Sequence, residues 1–180
     1  MDDSARQKPF FLAKRTSDNK QLIVQGYNSA AHRLLTSHDL APQLHHSSLD
    51  DSNSNRLGAL GMVVMDYTGE SDAYQLYLNG LLPKAIYEGV KQAIRTLHHD
   101  DVSIVFGDLR LPNIVITREH KAMLVDFDWC GMDGMDRNPP SLNDSSSIGW
   151  DEGVARNGVM RMEHNTFMLE AMRPTDHEMD

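Results

Sequence analysis

The chain has almost no cysteine, few cations and no long apolar run, and each shortage removes a class of function. Its single cysteine, Cys130, cannot form an intramolecular disulfide, which fits a reducing compartment. Lys and Arg number 17 against 26 Asp and Glu, a net charge of −9 at pH 7. A nucleic-acid or anionic-membrane surface needs clustered cations, so neither is expected as a partner. The longest mostly apolar stretch, 57–65, falls far short of the ~20 residues that span a bilayer. Met1-Asp2-Asp3-Ser4 opens with no basic region followed by an apolar one, so no secretory signal is read. These absences favour a cytoplasmic or nuclear protein. A chain of 180 residues, 40% hydrophobic and 24% charged, predicts one domain with a real core.

The pattern along the chain is mixed helix and strand. Short strands are predicted at 10–13 and 21–24, with Ser17-Asp18-Asn19-Lys20 as the turn between them. Asn28 or Ser29 caps a helix through Leu34 and Leu35, which Pro42 closes. Residues 47–55 (SSLDDSNSN) read as a solvated loop, 61–67 (GMVVMDY) as a buried strand, and 68–72 as a connection. The clearest helix covers 82–98, with Pro83 in its first turn. Ile86, Val90, Ala93, Ile94 and Leu97 form one apolar stripe along it. Strands at 114–117 and 122–125 make a tight hairpin, 131–149 reads as irregular, and a last helix covers 162–172 before Pro174. No internal repeat is present.

The chemistry-bearing stretch is 105–131, VFGDLRLPNIVITREHKAMLVDFDWCG. Pairing Thr117 with Ala122 places Asn113 opposite Asp126 at the open end of the hairpin. Asp108 lies just upstream, in a loop that Pro112 keeps out of helix. Two acids and an amide therefore converge. An amide oxygen and a carboxylate are hard ligands suited to Mg²⁺, which prefers few protein ligands plus phosphate oxygens. The other carboxylate, on Asp108, can accept a proton from an attacking hydroxyl, and Arg110 supplies a cation for phosphate.

Asp108-Leu109-Arg110-Leu111-Pro112-Asn113 resembles the protein-kinase catalytic loop D-L-K-x-x-N, with Arg110 at the lysine position. Asp126-Phe127-Asp128 resembles D-F-G at the family's spacing. The variant FGDLRLPN followed by VDFDW is most similar to the fungal-type protein-kinase-like family. His32-Arg33-Leu34-Leu35 with Leu40-Ala41-Pro42 resembles that family's amino-lobe helix, and Met62 to Tyr67 its hinge strand. Trp150-Asp151-Glu152-Gly153-Val154 and Glu163-His164-Asn165 resemble its later segments. The resemblance implies an α+β, two-lobed protein-kinase-like fold over 1–180. A truncated amino lobe would occupy 9–66 and a mainly helical carboxy lobe 67–173. It further implies ATP and Mg²⁺ as cofactors and a protein substrate or binding partner. Asp108 would be the catalytic base, Arg110 a γ-phosphate contact, and Asn113 and Asp126 the metal ligands. Met65, Asp66 and Tyr67 would meet adenine, and Gln25 would stand in the nucleotide site.

Several positions depart from the family's pattern. Gln25 replaces the strand lysine and cannot supply its charge, and 26–38 contains no acid to pair with one. No G-x-G-x-x-G loop precedes Phe10. Phe106 and Gly107 replace a histidine and an arginine, so control by a phosphorylated activation segment is not expected. Asn165 replaces an aspartate that anchors the catalytic loop, removing a charge-assisted bond. Two readings follow: phosphotransfer to protein Ser or Thr, or a catalytically inactive pseudokinase working as a binding module. Phe106-Gly107-Asp108 also echoes the H-G-D of small-molecule phosphotransferases. His45-His46 and His98-His99 read as solvated, the methionines as core filler, Asp50-Asp51 as solvated loop and Cys130 as structural.

Overall fold

The computed structural model describes residues 28–48, 63–68, 71–99 and 101–175, together with the backbone of 11–14 and 21–25. Phe10, the turn at 17–20, Asp50-Asp51, and Gly61 and Met62 lie outside the described residues. Strands β1 (Phe11–Lys14) and β2 (Gln21–Gln25) pair antiparallel, Leu12 opposite Ile23. After helix α1 (Ser29–Ser37) come β3 (Leu44–Ser47) and β4 (Val63–Asp66). The four strands form one antiparallel sheet in the order β1-β2-β4-β3. Strand β3 is absent from the sequence reading because LHHS has one apolar side chain and no alternation to betray it. Pairing with β4 makes it a strand, and Ser47 and Ser48 are buried rather than part of a solvated loop.

A one-turn helix, α2 (Ala73–Leu76), also went unread, its entry being a polar stretch. Asp72 caps it by accepting from the Gln75 N–H at 2.8 Å. Helix α3 (Lys84–Leu97) follows the predicted stripe: Ile86, Val90, Ala93, Ile94 and Leu97 are all buried, with Pro83 just outside the first turn. Burying each large apolar side chain contributes about 1.5–3 kcal/mol, and this stripe anchors the core. Gly89 has a reason to be glycine in mid-helix. A Cβ there would meet the Ala122 Cβ at 3.3 Å, so the bare backbone lets the hairpin press against α3.

Beyond α3, β5 (Ile104–Phe106) pairs with β8 (Cys130–Met132), Val105 opposite Gly131. Between them lies the hairpin of β6 (Ile114–Ile116) and β7 (Ala122–Leu124). The stretch 131–149 therefore begins as strand. Its remainder is irregular but anchored: Leu142 is buried, and the Asn138 N–H donates to Gly158 O at 2.8 Å. Helix α4 (Met162–Ala171) closes the described chain. One core cluster joins α1, β4, α3, the hairpin and α4. No helix among the described residues is long and apolar enough to cross a membrane.

The hairpin register differs from the expectation by one residue. Ile114 lies opposite Leu124 and Ile116 opposite Ala122, so Asn113 faces Val125, not Asp126. The cause is the turn. Thr117 pairs with Lys121 instead of Ala122, and the three residues between them end at His120 with φ of 58°. A three-residue loop closing on a left-handed residue is a standard hairpin solution, and loop length sets the register.

Candidate active site

Strand β5 delivers the chain to the site, and Gly107 lets it turn there. A Cβ on Gly107 would lie 2.3 Å from Trp129 O and 2.7 Å from Met160 Cε, so no side chain fits. The Gly107 N–H instead donates to Trp129 O at 3.0 Å, tying the two halves of the site together. Asp108 follows, 5% exposed. Contrary to the sequence expectation, Pro112 sits inside a single 3-10 turn (Leu111–Asn113), near its start, where a proline N–H is not needed. That turn folds Asn113 back beneath Asp108. The amide Nδ2 donates to Asp108 O at 2.8 Å and to Asp108 Oδ2 at 2.9 Å. With the nitrogen committed, the amide oxygen is the atom left for a cation.

Asp126 reaches the same place from the other side. The Val125 N–H donates to Asn113 O at 3.0 Å, so Asp126 comes one residue past Asn113 despite the shifted register. Its backbone is left-handed, φ 65° and ψ 62°, a conformation costing roughly 1 kcal/mol or more outside glycine and one that clusters at functional sites. Arg110 completes the group. Its Nη2 donates to Asp108 Oδ2 at 2.7 Å, its Nε is hydrogen-bonded to Oδ1, and its guanidinium lies over the Trp150 ring, 5.6 Å from the centroid. The bond to Asp108, and then the charges of Asp108 and Asp126, hold Arg110 further toward its protonated form. Burial, then those same two carboxylates, push the half-buried Cys130 thiol well above its ordinary value. The two acids therefore act on shared neighbours.

Behind the cluster stands an aromatic column. The His32 ring of α1 stacks on Phe127 at 4.8 Å and 10°, and Phe106 meets Phe127 edge-on at 5.3 Å and 90°. His32 is fully buried and donates from Nε2 to Pro42 O at 2.8 Å. Burial lowers its pKa to about 4, against the Pro42 bond and helped by Arg33, so the ring is neutral at physiological pH. Asn165 of α4 clamps the column's far end. Its Oδ1 accepts from the Phe106 N–H at 2.8 Å, and its Nδ2 donates to Phe106 O at 2.6 Å. An amide matches both the N–H and the C=O of one residue where a carboxylate can only accept, so the lost charge is offset by a second bond. His98 joins at 3.1 Å and is not a solvated helix end.

The sequence-predicted residues divide into two groups. Asp108, Arg110, Asn113 and Asp126 come together. Met65 is buried in β4 opposite Ile23 and Leu44. The Asp66 N–H is taken by Gln43 O and its carboxylate by His45, another histidine with a partner. Asp66 and the 40% exposed Tyr67 line a cavity of about 320 Å³ at the turn end of the hairpin, beside Thr117 and Glu119. Gln25 pairs with Val63 in register, and its side chain lies outside the described residues. Sequence reasoning missed the His32–Phe127 stack and the Arg110–Trp150 contact, since neither pair has a local spacing that would reveal it.

No family model matches the chain, and no curated protein matches it. Among solved structures it resembles the Cydia pomonella granulovirus kinase PK-1, with a TM-score of 0.66 at 18% identity. The chain has a protein-kinase-like fold. The match covers 93% of this chain and 62% of the viral kinase chain. Within this kinase-like fold, Asp108 is bonded both to the Arg110 guanidinium and to the Asn113 amide. Among the described residues no three His, Cys, Asp or Glu side chains converge on a cation position.

Proposed function

We propose that this chain is a two-lobed kinase-like domain of the fungal type, transferring the γ-phosphoryl group of ATP to a protein Ser or Thr. The sheet with α1, 9–66, forms the smaller lobe, and 67–173 the larger. The observation that carries the reading is the convergence of Asp108, Asn113, Asp126 and Arg110 on one spot. The donor set fits Mg²⁺: an amide oxygen and one carboxylate, the remaining positions falling to phosphate and water. When bound, that ion would neutralise charge on the phosphate oxygens. Asn113 and Asp126 would hold it, and Met65, Asp66 and Tyr67 would lie along the adenine.

The chain's own residues then do three things. Asp108, buried and fixed by the Asn113 amide, accepts the proton of the acceptor hydroxyl. Arg110 exchanges a carboxylate oxygen for a phosphate oxygen while its other face stays on Trp150. Gly107 and the Asn165 clamp keep the loop from drifting, which matters because small misplacements of a base are costly in rate.

A second reading, an inactive pseudokinase serving as a binding module, is favoured by Gln25 and by α1. The helix carries no acid, and its buried inward position holds a neutral histidine. Thermal stability across ATP concentrations, with and without Mg²⁺, separates the two. Ligand binding only the folded state adds about 2.7 kcal/mol at a hundredfold excess over Kd. A Mg²⁺-dependent rise that Asp126→Ala abolishes supports phosphotransfer. No rise at millimolar nucleotide removes that reading and leaves the binding module.

A further inference from the structure

A groove of about 370 Å³ opens directly beside Arg110. Its lining includes Leu111 and Pro112 of the candidate catalytic loop, Met168 and Ala171 of α4, and Ile148 and Tyr74. Among the described residues Arg110 is the one charged side chain in the lining, and no carboxylate joins it there. One of the groove's lining residues, Tyr74, belongs to an exposed apolar series. Of seven large hydrophobic side chains exposed on the described surface, three fall at Tyr74, Leu76 and Leu78, the last 84% exposed. All three fall on or just after α2, and Tyr74 itself lines the groove.

We infer that this groove and its ledge select the acceptor: a polypeptide segment with a bulky apolar side chain within a few residues of its phosphoacceptor hydroxyl. This rests on the phosphotransfer reading above, and names the substrate class for that site. The groove begins at the guanidinium that grips Asp108, so a hydroxyl presented to Asp108 sets its neighbouring side chains over Leu111, Pro112 and Ala171. A polypeptide fits better than a small molecule because Tyr74, which lines the groove, is followed in the chain by the exposed Leu76 and Leu78, further apolar side chains that an extended segment can cover. Basic flanks are disfavoured twice, since no carboxylate lines the groove and Arg110 repels them. Acidic flanks gain only Arg110, which phosphate also needs.

The test uses the full chain without nucleotide and three nine-residue peptides, each with a central serine flanked by leucine, arginine or aspartate. Fluorescence anisotropy reads their affinities. The leucine peptide is expected to bind about tenfold or more tightly than the arginine peptide, the scale on which a single well-buried apolar group discriminates. Ala171→Glu, at an exposed site on the groove wall, is expected to weaken the leucine peptide and reverse the order. Equal wild-type affinities for the leucine and arginine peptides overturn the inference, whatever the variant does. So does failure of the leucine peptide to bind while the chain self-associates through the groove and Ala171→Glu disperses it. Selective peptide binding with no Mg²⁺·ATP effect retains the groove and removes phosphotransfer. Transfer of phosphate to all three peptides alike retains phosphotransfer and removes the groove's selectivity.

Discussion

Lowering the pH from 7 to 5 should cost the native chain about 2 kcal/mol through His32 alone. Its folded pKa is about 4, set mainly by burial, against an ordinary value of 6.5. Between those values the unfolded chain binds a proton that the folded chain does not, so stability falls as pH falls. The loss is about 2 kcal/mol by pH 5 and about 3 kcal/mol by pH 4, and it is absent above pH 7. His32→Phe removes the titration while keeping a ring against Phe127. The substitution loses the bond to Pro42 O, worth about 1 kcal/mol net. That carbonyl keeps a donor, because Thr36 Oγ1 also reaches it at 3.0 Å. The variant should therefore be about 1 kcal/mol less stable than wild type at pH 7 and about 1 kcal/mol more stable at pH 5. Urea unfolding followed by circular dichroism at the two pH values measures both. Other titrating groups are common to the two proteins and cancel in the comparison. Parallel pH dependences for wild type and His32→Phe would refute the reasoning.

Three further outcomes are expected. Gly107→Ala drives a Cβ into Trp129 O and should cost about 3 kcal/mol, seen as a lowered Tm; a normal Tm would show that the two strands can part at no cost. Asn165→Ala strips both partners from the buried Phe106 peptide and should also cost about 3 kcal/mol in urea unfolding, whereas a loss under 1 kcal/mol would mean that water replaces the amide. The Cys130 thiol should resist a thiol reagent at pH 8 until the chain unfolds, because burial and two carboxylates oppose the thiolate; prompt native-state labelling would contradict that arrangement.

The α3 stripe and the grouping of the candidate-site residues were legible for the same reason. Ile86 to Leu97 repeat with the helix period, and Asp108, Asn113 and Asp126 sit close enough in sequence that one hairpin gathers them. Periodicity and short loops are local, so the chain itself carries them. The register was not legible, because it depends on whether Thr117 belongs to the strand or the turn, and His120 decides that by adopting a left-handed backbone. Strand β3 was invisible for a related reason. LHHS becomes a strand only because β4 offers it a ladder, and strand formation depends on the partner more than on the residues.

What the sequence determined by itself is the candidate chemistry: two acids, an amide and a cation at spacings that one hairpin and one turn bring together. Only the tertiary structure decided what surrounds them. His32 comes from α1, Trp150 from just past the irregular segment and Asn165 from α4, each tens of positions from its partner. Contacts over such separations leave no periodic trace, since any apolar or amide residue at the right place in space would serve. The groove beside Arg110 has the same origin, with α2, the loop 109–112 and α4 each contributing lining residues that are unremarkable until the fold sets them side by side.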